Sequence, residues 1–282
     1  MIQPLAYIHP QARIADNVVI EPFVTIHKDV EVGEGTWVGS NSTIMDGARI
    51  GKNCRIFPGA VISAPPQDLK YRGEQSTVTV GDNTIIRECV TLNRGTALDK
   101  NTTTIGSNCL LMAYVHVAHD CVIGDNVIIA NSVQLAGHIN VYDYAFIGGT
   151  SAFHQFVEIG AHSMISGGSL VRKDVPPFTK AGREPLSYIG INSVGLRRRG
   201  YSAATINEIQ EIYRIIFLKK YNMTKALDII EAEFNPTVER DEIINFVQNS
   251  QRGIMKGFGN SLIEWAVCSW QFSSFPTLLT AY

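Results

Sequence analysis

Four histidines and the residues spaced around them carry the chemistry this chain could do. His119, His138 and His154 fall in segments that begin at Val117, Leu135 and Phe153, three starts 18 residues apart, and His116 is expected at the corner leading into the first. Asp120 is 18 residues before His138, and Gly137 is 18 residues after His119. An imidazole titrates near neutrality, so a histidine in polar surroundings can take a proton from a hydroxyl at pH 7. A single such histidine is more often a solvated surface residue. A set of them repeating at one interval, with an aspartate and a glycine at the same interval, reads as a site if the chain brings residues 18 apart together.

The elements that would do so are written in the apolar residues. An aliphatic or aromatic residue recurs every sixth position from Ile105 to Val171, through Leu111, Val117, Ile123, Ile129, Leu135, Val141, Ile147, Phe153, Ile159 and Ile165. The same beat runs from Ile8 to Ile62 and returns in phase at Val80, Ile86 and Leu92. Four residues after each beat stands a small or β-branched residue, such as Val24, Ala48, Cys54, Cys109, Cys121 or Ser163. Asn often stands three after the beat, at Asn17, Asn41, Asn53, Asn83, Asn108 and Asn126, and Asn tolerates the left-handed backbone of a corner. One hexad cannot bury its apolar residue alone, whereas stacked hexads share a continuous core. The period predicts a β-helix; it does not by itself give the handedness.

Two interruptions break the rhythm. The polar, proline-containing stretch from Pro65 to Thr77 is predicted as a loop thrown out from the stack, re-entering in phase because Ile62 and Val80 are 18 apart. From Asn93 to Thr104 the spacing is thirteen, which predicts a second excursion or a bulged coil. Long loops on a rigid scaffold often carry function. The repeat ends near Pro176-Pro177, and a connecting segment is expected to Tyr201. Ser202 reads as the N-cap of a helix to about Lys220 with Ile206, Ile209, Ile212, Tyr213, Ile216 and Phe217 on one face. A second helix is predicted over about 224–234, and a third capped by Asn235 with Pro236 in its first turn and Ile243, Ile244 and Val247 inward. The predicted organisation is a β-helix domain over 1–190, an α-helical domain over 191–257 and an atypical tail over 258–282.

Composition excludes other classes. The 282 residues carry a formal charge of −2 and 45% hydrophobic content, which predicts no nucleic-acid surface. The N-terminus has no secretory pattern and no apolar stretch of the repeat could span a membrane. Five cysteines show no CxxC spacing, so a reducing cytoplasm fits better than a disulfide frame or a zinc ribbon.

The segments IGSNCLLMAYVHVAHDCVIGDN, LAGH, GGTSAFHQF and LRRRGY, with the loop PPQDLKYRGE, resemble the acyl-carrier-protein–UDP-N-acetylglucosamine O-acyltransferases of lipid A biosynthesis, a family of hexapeptide-repeat acyltransferases. The likeness covers roughly residues 1 to 256. Val194, Asn93 and the tail after Gly257 depart from that pattern. The resemblance implies a left-handed parallel β-helix in which three hexads make one coil of 18 residues. It thereby implies that His119 and Gly137, like Asp120 and His138, stack in successive coils at a strand spacing of roughly 4.8 Å, with open space over His119.

It also implies a mechanism. His119 is the general base toward the 3-hydroxyl of the N-acetylglucosamine ring, that oxygen attacks the thioester of a 3-hydroxyacyl carrier protein directly, and the Gly137 N–H is the oxyanion donor. Asp120 orients or polarises the site, or makes only a corner hydrogen bond. The substrate-binding residues implied are Gln67, Asp68 and Lys70 in the loop, His116, His138, His154 and Gln155 for sugar and phosphates, and Asn192, Arg198 and Arg199 at the nucleotide end. Gly167 resembles the end stop of an acyl groove, or is a corner glycine chosen for its backbone. No cofactor or metal is implied, since the acyl group arrives on the phosphopantetheine of acyl carrier protein. Relatives of this kind are homotrimers with active sites between subunits. The rivals are the N-acyltransferase acting on the 3-O-acylated product, a coenzyme A-dependent acetyltransferase, and a trimeric zinc enzyme of the γ-carbonic anhydrase type, whose paired ligands are five apart where His116 and His119 are three apart.

Overall fold

A computed structural model describes residues 3–219 and 221–257; the predicted tail over 258–282 lies outside the described residues apart from its approach at Lys256–Gly257. Strands of mostly two residues wind into three sheets of nine, eight and eleven strands, parallel throughout the coils. The chain visits a first sheet (Tyr7–Ile8, then His116–Val117 and Gln134–Leu135 among others), a second (Arg13–Ile14, later Val122–Ile123) and a third (Val19–Ile20, later Ile128–Ile129), and then returns to the first. Partners sit one coil apart: Val117 on Leu135 on Phe153, and Ile129 on Ile147 on Ile165. Each strand offers one side chain inward, and the beat supplies it. From Ile20 to Val171 every beat residue is at most 4% exposed, each burial contributing roughly 1.5–3 kcal/mol before entropic costs.

Corners are made by residues in the left-handed region. Asn41, Asn53, Asn83, Asn108 and Asn126 have φ between 53° and 60°. Asn17 departs from the expected pattern; its Oδ1 instead accepts the Gly35 N–H of the next coil at 2.9 Å. The corner between the first and second sheets is occupied by Asp120, His138 and Phe156, with φ of 59°, 64° and 63°.

Both interruptions leave from this same corner. Ile62 pairs with Leu92, thirty residues on, so about twelve residues are inserted over one coil. Leu92 then pairs with Val117, twenty-five on, so about seven are inserted in the next. The second break is therefore an excursion, and the two loops meet beside the His119 corner, the Ala97 N–H of the second donating to the Glu74 carboxylate of the first.

Past Pro177 the winding closes with Thr179–Gly182 and Ser187–Ile191, an antiparallel hairpin in the third sheet that the hexad pattern does not announce. A short helix α1 (Ser193–Arg198), capped by the Asn192 side chain, occupies the predicted connecting segment. α2 (Ala203–Leu218) is capped by Ser202 as expected, and α3 (Met223–Glu233) by Asn222. α4 (Val238–Asn249) begins later than predicted: Thr237, not Asn235, is its cap, its hydroxyl accepting the Arg240 N–H. Ile243, Ile244 and Val247 are its buried residues. The helices are tied to the last coil by Tyr213, whose hydroxyl donates to the Pro177 carbonyl at 2.6 Å, and by Ser250, which donates to the buried Asp174 carboxylate at 2.6 Å. No helix among the described residues is long and apolar enough to cross a membrane.

Candidate active site

The strand His116–Val117 ends against the corner, and the turn after it fixes His119 and Asp120. Asp120 is fully buried. Its carboxylate accepts the Thr96 N–H at 3.1 Å, the Thr96 hydroxyl at 2.7 Å and the His119 ring at Nδ1, 2.9 Å away. A buried carboxylate needs such donors. Since it can only accept when ionised, it holds the His119 proton on Nδ1 and leaves Nε2 with its lone pair free. Nε2 lies 4.0 Å from the Asp68 carboxylate of the first loop, too far for a direct hydrogen bond and wide enough to leave room for a hydroxyl near both.

Gly137 stands over His119 as the 18-residue spacing predicts, but the space is not open. A Cβ at Gly137 would come within 2.7 Å of Cε1 and 2.8 Å of Nε2, so the imidazole itself fills what a side chain would occupy. The glycine is what leaves room for the ring under the next coil. The Gly137 N–H finds no acceptor among the described residues.

Asp120 and His138 are neighbours but not partners. The His138 Nδ1 pairs with Asp99 of the second loop at 2.6 Å, its ring meets His119 edge-on at 4.9 Å between centroids, and it stacks on Phe156 at 4.4 Å. Burial works to raise the Asp99 pKa, but the His138 hydrogen bond and the Lys100 charge outweigh it and hold the carboxyl below its usual range. Lys100 donates to the Asp120 carbonyl at 2.9 Å, so the second loop is fastened to the corner from both ends. Thr96, Asp99 and Phe156 line the candidate site without being singled out as site residues in the sequence; the irregular spacing from Asn93 to Thr104 is the signal for the first two, and Phe156 ends the segment GGTSAFHQF. His119, Asp120 and His138 also form the one three-residue group of metal-ligating type among the described residues, with ligand atoms within 4.8 Å of one another.

The cleft beside this corner is about 720 Å³ and is lined by Asp68, Lys70, Thr96, Asp99, His138 and Phe156. Gln67 and Lys70 are exposed on the loop that overhangs it. His154 and Gln155 are exposed on the same corner, one coil beyond Ala136 and Gly137, with the His154 Nδ1 3.2 Å from the Gln155 carbonyl. His116 is not at the corner but in the strand, half-buried, bonded to Thr91 at 2.7 Å, and burial lowers its pKa. Cys121 follows Asp120 into the core; its thiol rests 3.1 Å from the Ala136 carbonyl, and burial pushes it up to about 12, which removes it as a nucleophile.

The remaining candidates are not on this corner of the chain. Gly167 lies between the third and first sheets, because the 48 residues separating it from His119 are not a whole number of coils. A Cβ there would meet the Gly149 carbonyl at 3.1 Å. Asn192, Arg198 and Arg199 belong to the corner between the second and third sheets. Asn192 caps α1 and donates to the His162 carbonyl at 2.9 Å. Arg199 donates to the Tyr144 carbonyl at 3.1 Å and lies 5.1 Å from the centre of that ring. Arg198 is exposed and makes no ion pair among the described residues.

Three family models match parts of the chain: UDP N-acetylglucosamine O-acyltransferase domain 2 over 174–255, bacterial transferase hexapeptide (six repeats) over 102–137, and the GMPPB C-terminal domain over 2–67. The acyl-[acyl-carrier-protein]–UDP-N-acetylglucosamine O-acyltransferase of Thermodesulfovibrio yellowstonii is 45% identical over 255 residues, covering 90% of this chain and 99% of the relative. The enzyme of the same name from Thiobacillus denitrificans is 40% identical over the same shares. Among solved structures, the UDP-N-acetylglucosamine acyltransferase of Bacteroides fragilis superposes with a TM-score of 0.90 at 50% identity, covering 91% of this chain and all of that one. That of Francisella novicida gives 0.88 at 40%, covering 91% and 94%. Identity and coverage at this level extend through coils, loops and helical domain alike, and the chain belongs to the acyl-[acyl-carrier-protein]–UDP-N-acetylglucosamine O-acyltransferase family.

Proposed function

We propose that this protein transfers a long-chain 3-hydroxyacyl group from acyl carrier protein to the 3-hydroxyl of UDP-N-acetylglucosamine, the first step of lipid A biosynthesis. The observation that carries the chemistry is the His119 ring, fixed through Nδ1 by the buried Asp120 and turning Nε2 toward Asp68. Nε2 takes the proton of the sugar hydroxyl while the oxygen attacks the thioester carbonyl. The tetrahedral oxyanion is met by the Gly137 N–H, a donor without a competing acceptor among the described residues. Collapse breaks the C–S bond, and the proton on Nε2 goes to the departing phosphopantetheine thiolate. Products are the 3-O-acylated nucleotide sugar and the free carrier thiol. Asp120 orients the ring and stabilises the imidazolium; it does not itself need to take the proton.

In this reading Asp68, Gln67, Lys70, His138, His154 and Gln155 contact sugar, phosphate or acyl donor, with His116 behind them. Asn192, Arg198, Arg199 and Gly167 act from a neighbouring subunit of a homotrimer. Exposed aromatic residues on the corner between the third and first sheets, Phe23 at 59% and Tyr114 at 62%, support such packing. The four free thiols among the described residues fit the cytoplasm. The test is acyl transfer to UDP-N-acetylglucosamine from a panel of 3-hydroxyacyl carrier proteins, with parent and His119→Ala compared. Equal rates would remove the base, and a Gly167→Met variant that keeps the parent's chain-length preference would remove the acyl stop.

A further inference from the structure

We propose that Tyr71 and Arg94 are positioning residues, a clamp that holds the first loop so that Asp68 faces His119. The inference rests on the reading of Asp68 as a substrate contact. Arg94 is the first residue past the strand Thr91–Asn93 and is half-buried. Its Nη1 donates to the Asp46 carbonyl at 2.9 Å, which anchors it to the coil above the loops. Its Nη2 donates to the Tyr71 hydroxyl at 2.9 Å, and the guanidinium lies 5.8 Å from the centre of the Tyr71 ring. The side-chain hydrogen bonds of Arg94 go to a carbonyl and a phenol; no carboxylate bonds to it directly, and its charge acts on the Asp46 carboxyl only through space. A half-buried guanidinium with no directly bonded carboxylate is a poor source of stability, and its planar fork is a good source of geometry.

The contact continues into the site. The Tyr71 hydroxyl donates onward to the Glu74 carbonyl at 3.0 Å, and the Tyr71 N–H donates to the Asp68 carbonyl at 3.0 Å. The Asp68 side chain is oriented in turn: Oδ1 accepts the Lys70 N–H at 2.9 Å, which turns Oδ2 to its 4.0 Å approach to His119 Nε2. Glu74 also joins the loops, its carboxylate accepting from Arg72 N–H at 2.8 Å and Ala97 N–H at 3.3 Å. A loop with one carboxylate to place is thus tied to the rigid coils through Tyr71, at three residues' distance from that carboxylate. Loss of the tie leaves the base untouched and the substrate contact loose.

The test is a double-mutant cycle on the full chain, read by steady-state acyl transfer. Tyr71→Phe keeps the ring and removes the link to Arg94; it is expected to raise KM for the nucleotide sugar about tenfold, the effect of one hydrogen bond to a charged group, with kcat within about twofold. Arg94→Lys, which keeps the charge and loses the fork, is expected to do the same. Asp68→Ala is expected to lower kcat/KM further, and Tyr71→Phe added to it is expected to change nothing, because the clamp acts only through Asp68. Parent kinetics for Tyr71→Phe would overturn the proposal, as would a Tyr71→Phe loss that multiplies in full with that of Asp68→Ala. Parent kinetics for Asp68→Ala would overturn the reading of Asp68 itself, and the clamp would have nothing to place.

Discussion

At the scale of residues, the site is a single imidazole given a fixed tautomer by a carboxylate that water cannot reach. His119→Ala is expected to lower kcat/KM by roughly a thousandfold, in the range of general-base catalysis, and to lower the melting temperature by about a few degrees, because the buried ring leaves a cavity under the next coil. Asp120→Asn should be nearly as damaging to kcat, by roughly a hundredfold or more, since an amide cannot enforce the same tautomer. It should also raise KM, because the amide offers Thr96 one acceptor oxygen where the carboxylate offers two, which loosens one of the ties of the second loop. Steady-state kinetics of the two variants separate these roles: an Asp120→Asn enzyme with parent KM would show that the loop does not depend on this carboxylate. The pairing of His119 with Gly137 is legible in the 18-residue arithmetic. The partner of His138 is not, since Asp99 comes from seven inserted residues that carry no register. The absence of open space over His119 is not legible either: coils stacked at strand spacing leave only the thickness of one ring, and the ring in question is that of the proposed base itself.

At the scale of elements, the coils are legible because each hexad repeats one physical requirement, a large apolar residue inward and a corner residue able to take positive φ. The chain past Pro177 is less so. The hairpin Thr179–Ile191 is paired by its position at the end of the third sheet rather than by an alternating pattern, and α1 is too short for any periodicity to reveal. The helical domain carries a titratable group whose environment makes a distinct prediction. Glu242 on α4 is pushed up to about 7 by burial, with Glu239 and Asp143 adding to it. A carboxyl whose folded pKa is raised binds its proton more readily folded than unfolded, so its contribution falls as pH rises from the unfolded value of 4.5 through about 7. Glu242→Gln should therefore raise the melting temperature at pH 8 and leave it unchanged near pH 4. His162 acts in the opposite sense. Burial, then the Arg199 charge, lower its pKa to about 4, so the folded protein loses stability as pH falls from 6.5 toward that value. Thermal melts across pH 4 to 8 should show Glu242→Gln removing part of the loss toward high pH and His162→Gln part of the loss toward low pH; parallel curves for parent and variants would refute both assignments.

At the scale of the whole molecule, the three corners of one chain divide the proposed site into parts that the chain cannot itself bring together. His119, Asp120 and Gly137 stand between the first and second sheets, Arg198 and Arg199 beside the corner of the second and third, and Gly167 between the third and first. A prism has no way to fold one of its edges onto another, so a site that uses both the base and the arginines must be assembled from different copies. Mixed assemblies test this directly. His119→Ala lacks the base, and Arg198→Glu places a negative charge where phosphate is proposed to bind. Each alone should be nearly inactive. Co-refolded in equal amounts, half the chains carry an intact base and half an intact arginine, so about a quarter of the sites between copies should contain both and recover activity if protomers mix at random. Activity that stays at the level of the separate variants, in assemblies whose mixed composition is verified by mass, would mean that base and arginine serve one site from the same chain or that Arg198 serves none.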